Sequence, residues 1–175
     1  MSEALTKVSP HVFWMAPGPP DRDFASYWRG FEGPPDPVLG MWWVRRSASA
    51  FVDGTGLVRL WVETAPAAAQ AARAADPAGF VTTQGHVLAV PDLLATLVTE
   101  AVIHHVDMTV DLPAAPAPPA AGLTVATATL DALGGHPLPG WTPQQYLLKG
   151  TGRVPLTDAE RADLGHAADR FPLLS

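Results

Sequence analysis

From Pro91 to Asp111 apolar residues recur at helical period, and Leu94, Leu97, Val98, Ala101, His104, His105 and Met108 form one broad stripe. Pro91 suits the first position of that helix. Another helix is expected from Leu57 to Ala75, where Pro66 should kink or divide it. Phe24, Tyr27, Trp28 and Phe31 predict a short helix over 23–31 with Asp23 as its cap. Asp36-Pro37 offers a cap and a first-turn proline for a helix running to about Phe51, and Asp53-Gly54-Thr55-Gly56 reads as a turn. Phe80-Val81-Thr82 and Val87-Leu88-Ala89-Val90 flank Gln84-Gly85, the pattern of a short hairpin. Such a ribbon is marginal alone and must lean on helices.

Residues 113–121, a run of Pro and Ala, break the helical pattern and predict a stiff extended linker. Beyond it, helices are expected over 123–133, ended by Gly134-Gly135, over 141–149 with Thr142 as cap, and over 157–164, where Thr157 and Glu160 have capping-box spacing. The organisation expected is a helical unit over 1–112, a linker over 113–121 and a helical tail over 122–175. Met41-Trp42-Trp43, together with Trp61, reads as core or as the wall of a pocket.

Composition narrows the function classes. At 47% hydrophobic and 16% charged the chain can bury a sizeable core. Its formal charge of −6, without a basic run, argues against nucleic acid and anionic membranes as partners. It has no Cys, which excludes disulfides, a thiolate nucleophile and thiolate metal ligands. With no signal-peptide pattern and no apolar run long enough to span a bilayer, a cytoplasmic location is expected.

Glu100 and His104 stand one turn apart on the same helix face. A carboxylate and an imidazole so placed suit one divalent metal, with Asp107 at the edge of the face to orient the ring. The same pair can equally be a plain helix contact worth a few tenths of a kcal/mol. Two protein ligands are fewer than the three that catalytic zinc takes. Lys149 and Arg153 flank Gly150-Thr151-Gly152, a loop able to hold an anionic group or simply to stop a helix.

The stretch from Gly85 to Leu94, followed by Thr99-Glu100-Ala101-Val102-Ile103-His104-His105-Val106-Asp107, resembles the last bundle helix of the mycothiol-dependent maleylpyruvate isomerase family. The tail Tyr146-Leu147-Leu148-Lys149-Gly150-Thr151-Gly152-Arg153 resembles tails of actinobacterial members. The resemblance implies a mainly α fold, a partial DinB-like bundle with a short β-hairpin and a helical tail. It implies a divalent metal, typically zinc, on Glu100 and His104. It implies an isomerase or transferase that uses mycothiol or another small thiol, with Lys149 or Arg153 holding a substrate carboxylate. The chain departs from the family before residue 80, where no G-W-T-x-x-D-x-x-x-H segment supplies the third ligand. Gly140-Trp141-Thr142 matches its opening, but Lys149 stands where the His would fall. The chain is then an N-terminally shortened form, or has lost the site, or uses His11, His86 or His136 instead. The alternative to an enzyme is a non-catalytic member that binds a small ligand or a partner. A shortened bundle would also leave an apolar face exposed, through which a homodimer is expected.

Overall fold

The computed structural model describes residues 14–16, 18–30 and 37–174. It is mainly helical, with α1 (Pro37–Ala48), α2 (Gly54–Ala74), α3 (Val90–Thr109), α4 (Ala120–Ala132), α5 (Pro143–Gly150) and α6 (Asp158–Leu164). The expected hairpin is present as β2 (Phe80–Thr83) and β3 (His86–Ala89), paired antiparallel. Gln84 and Gly85 both take positive φ (47° and 83°), as a two-residue hairpin turn requires. A third strand, β1 (Trp14–Met15), pairs antiparallel with β2 and was not legible in the sequence. The chain after it is pinned to β3: Val87 N–H donates to Asp21 Oδ1 (2.6 Å), while Asp21 Oδ2 lies 3.0 Å from His86 Nδ1.

The N-terminal elements differ from expectation in three places. The helix over 23–31 shrinks to a 3-10 turn at Ser26–Trp28, although Asp23 caps it through the amides of Ala25 and Ser26. Phe31 and Asp36 lie outside the described residues, as does His11. Residues 53–56 are no turn: Asp53 accepts from the Thr55 and Gly56 amides, and α2 starts at Gly54. Pro66 leaves α2 undivided over 21 residues. The helix is solvent-exposed there, so water can satisfy the carbonyl that Pro66 cannot reach.

The largest correction concerns α3. Its apolar stripe is real but points away from the core: Leu97 is 48% and Met108 72% exposed. The opposite face is buried, through Leu93, Thr96, Thr99, Val102, Ile103 and Val106. Two threonines disguised it. Thr96 donates back to the Leu93 carbonyl (2.7 Å), and the Thr99 and Thr129 hydroxyls meet at 3.1 Å, so neither is buried unsatisfied.

That inner face joins two apolar clusters. The larger unites Val102, Ile103 and Val106 with Ala126 and Leu130 of α4 and with Tyr146 and Leu147 of α5. The smaller sets Tyr27 against Val81, Leu88, Val90 and Leu93, and Trp28 packs against both. The linker expected over 113–121 is non-helical only over 113–119, because Ala120 and Ala121 already open α4, and it folds back: Pro118 is buried, and His105 Nε2 meets the Pro116 carbonyl at 2.8 Å. The end of the chain straps the tail down. Leu173 and Leu174 amides donate to the Gly150 carbonyl, and Arg170 donates to the carbonyls of Leu133 and Gly134.

Candidate functional site

His104 lies in the outer stripe of α3 and Glu100 beside it, each with neighbours of its own. Glu100 is half-buried toward the 3-10 turn. Burial, and then the negative charge of Glu100, push the Tyr27 phenol above its ordinary pKa, while a hydrogen bond with Thr83 acts the other way. His104 leans the other way along the helix. Its side chain is 65% exposed, with Nδ1 3.7 Å from Asp107 Oδ2.

Asp107 belongs chiefly to Arg153, whose Nε and Nη2 donate to its two oxygens at 2.7 and 2.8 Å. That bidentate pair holds the Asp107 carboxyl below its ordinary pKa, with His104 a smaller contributor. It also ties the 150–154 loop to α3. Arg153 donates further to the Thr151 carbonyl (3.0 Å). Lys149 is likewise engaged, with Nζ 2.8 Å from Glu160 and 5.6 Å from the Trp141 ring centroid. Both cations expected to receive a substrate carboxylate already have internal acceptors.

Three histidines could have supplied the third ligand. His86 is paired with Asp21, His136 is exposed in the loop after α4, and His11 lies outside the described residues. Among the described residues no group of three His, Cys, Asp or Glu side chains could hold a metal ion. Glu100 and His104 therefore do not fit a metal centre by themselves, since catalytic zinc takes three protein ligands.

The sequence reading missed a cleft of about 140 Å³ between α4 and α5, lined in part by Thr127, Asp131, Trp141 and Tyr146. Tyr146 donates to Asp131 Oδ1 (3.0 Å), and burial together with this carboxylate raises its pKa strongly. The volume is well below the roughly 300–1,000 Å³ of sites for drug-sized ligands. No pattern in the sequence marks it, because its residues come from three separate segments.

The best-built polar cluster is Glu160. It accepts from Lys149 Nζ, Trp141 Nε1 (2.9 Å) and the Thr157 amide (2.8 Å), closing the expected capping box. These contacts, that of Lys149 foremost, lower its pKa from an ordinary 4.5 to about 2. A depressed folded pKa stabilises above the unfolded value, and that stability is lost as pH falls toward the folded value. Stability should therefore fall between about pH 4.5 and 2. Glu160→Gln should flatten that acid limb in denaturant titrations at a series of pH values, with Asp21, Asp23 and Asp107, also lowered, keeping part of the slope. Equal slopes in both proteins would deny Glu160 the role.

The strongest surface feature lies elsewhere. No residue of α2 is buried. Leu57, Val58, Trp61 and Val62 are each more than half exposed, as are Val38 and Met41 of α1. Of the tryptophan-rich residues expected in the core or in a pocket wall, Trp61 is 68% exposed and Trp42 lies half-exposed under Arg46 (5.1 Å), while the Trp43 side chain lies outside the described residues. Among the described residues no helix is long and apolar enough to cross a membrane. No family model, curated protein or solved structure matches the chain.

Proposed function

We propose that the chain is a non-catalytic, partner-binding helical module, a variant of the maleylpyruvate isomerase-like bundle whose working surface is carried by α1 and α2. One observation carries this reading: a 21-residue amphipathic helix, with Leu57, Val58, Trp61 and Val62 more than half exposed, has no buried residue. A helix of that kind is stable in water only when another surface covers it. Nine large apolar side chains between residues 37 and 74 stand more than a third exposed, a density beyond the singly scattered surface hydrophobes of an ordinary monomer. The small volume of the α4–α5 cleft and the internal pairing of Lys149 and Arg153 favour a partner over a small-molecule substrate. The test is amide hydrogen exchange across residues 54–74 as protein concentration is raised.

A second reading, a divalent-metal protein acting with mycothiol or another thiol, is favoured by the placing of Glu100 and His104 one turn apart on α3. It needs a third ligand from outside the described residues, such as His11. Elemental analysis of untagged protein, beside Glu100→Ala and His104→Ala, decides it. The binding-module reading expects no divalent metal above background in any of the three. Near-stoichiometric zinc, lost in both variants, would restore the enzyme.

A further inference from the structure

The cleft between α4 and α5 has a chemical character of its own. Thr127 and Asp131 stand one turn apart on α4 and share the cleft with Trp141 and Tyr146, whose rings stack with centroids 6.1 Å apart. Its hydroxyl hydrogens are largely spent inside the chain. Tyr146 donates to Asp131 Oδ1 (3.0 Å) and Thr127 donates back to the Leu123 carbonyl (2.8 Å), while Thr142 Oγ1 accepts from the Gln145 amide. What remains is acceptors: lone pairs on Tyr146 and Thr127, and the second carboxylate oxygen of Asp131. Among the described residues no Lys or Arg lies within ion-pair distance of Asp131. Arg29 and Arg170 reach the end of α4, yet they donate to the carbonyls of Ala132, Leu133 and Gly134.

We propose that this cleft binds a small organic cation, a primary alkylammonium group, with its N–H donors on Asp131 and the hydroxyls and its alkyl part against Trp141 and Tyr146. The site is independent of whatever covers α1 and α2. Three physical features select that class of ligand. Open acceptors, spent donors and one carboxylate without an ion-pair partner favour a group that both donates and carries positive charge. Aromatic rings beside the carboxylate attract the same charge, as the Lys149 ammonium 5.6 Å from the Trp141 centroid already illustrates. Lys149 does not line the cleft, and its own charge is met by Glu160, so it does not occupy the site itself. The volume of about 140 Å³ shuts out a drug-sized substrate, yet it is close to the roughly 150 Å³ of a cavity that takes up benzene, which suits a short alkylamine.

Titration of the full chain with n-butylammonium at neutral pH, followed by the amide and indole N–H resonances of isotope-labelled protein, tests this. The Trp141 indole N–H and the first amides of α5 should shift together and saturate in the millimolar range, as a ligand of so few atoms allows. n-Butanol, the neutral molecule of the same length, should bind at least about tenfold more weakly. Asp131→Asn, which keeps an acceptor for Tyr146, should weaken binding of the cation by a similar factor, and Asp111→Asn, at an exposed carboxylate beyond the end of α3, should leave it unchanged. N-acetyl-lysine methylamide carries the same ammonium on a peptide unit: its binding would extend the site to a lysine side chain of a partner, and its failure beside butylammonium would confine the site to free amines. Equal binding of butanol and butylammonium would overturn recognition of charge. Shifts scattered over exposed carboxylates, or surviving in Asp131→Asn, would overturn the site. The butanol comparison uses the wild-type chain, so the test stands even if the Asp131 variant fails to fold.

Discussion

Leu130→Ala should destabilise the protein by about 3 to 5 kcal/mol, the cost of removing a large side chain from a site that cannot collapse around the hole. Leu130 is fully buried, at 0% exposure, among residues of α3, α4 and α5. For a chain of this length the loss corresponds to a melting temperature lower by about 10 °C. Gly150, on α5, explains why the site is rigid. A Cβ built there would lie 2.6 Å from Leu130 Cδ1, so α5 approaches α4 as closely as a glycine allows. Gly150→Ala should accordingly cost about 1 to 3 kcal/mol, despite alanine's better helix propensity. In the Leu130→Ala background the added methyl group enters the cavity, and the double variant should be less destabilised than the two losses combined. Urea titrations of the four proteins measure the coupling. Strict additivity would mean that α4 and α5 do not meet at this pair.

That contact also shows how far the chain could be read in advance. The caps at Thr142 and Thr157, the hairpin turn at Gln84-Gly85 and the break at Gly134 are local, and each appears where its residues place it. Which side of α3 faces the core is not local. The helix is apolar on both sides, and its buried side carries Thr96 and Thr99, whose hydroxyls are satisfied by the Leu93 carbonyl and by Thr129. Periodicity finds a stripe in such a helix but cannot orient it; the choice depends on partners thirty residues away. The same holds for the candidate site. Glu100 and His104 were visible from spacing, yet Asp107, expected to steady His104, is claimed by Arg153 from a distant loop. The cluster around Glu160 was half visible, as a capping box, while Lys149 and Trp141 complete it only through folding. Trp61 reads as core by composition alone, because hydrophobicity does not distinguish a residue buried within a chain from one kept for an interface.

The second large effect concerns α2. An amphipathic helix with nothing packed on it protects its amides little, since local opening costs almost nothing. Once its apolar face is covered, opening must first separate the partners, and protection then rises with concentration as mass action dictates. The helices α3 and α4, joined through Val102, Ala126 and Leu130, should be protected at every concentration. Residues 54–74 should behave otherwise, exchanging quickly in dilute solution and slowing by orders of magnitude as the concentration rises.

Amide hydrogen exchange followed by mass spectrometry, run on the same preparation at low and high protein concentration, is therefore the measurement that reaches the binding surface itself. Strong, concentration-dependent slowing confined to α1 and α2 is the expected result. Protection of residues 54–74 that equals that of α3 and does not change with dilution would contradict it, placing the hairpin in the core of its own chain.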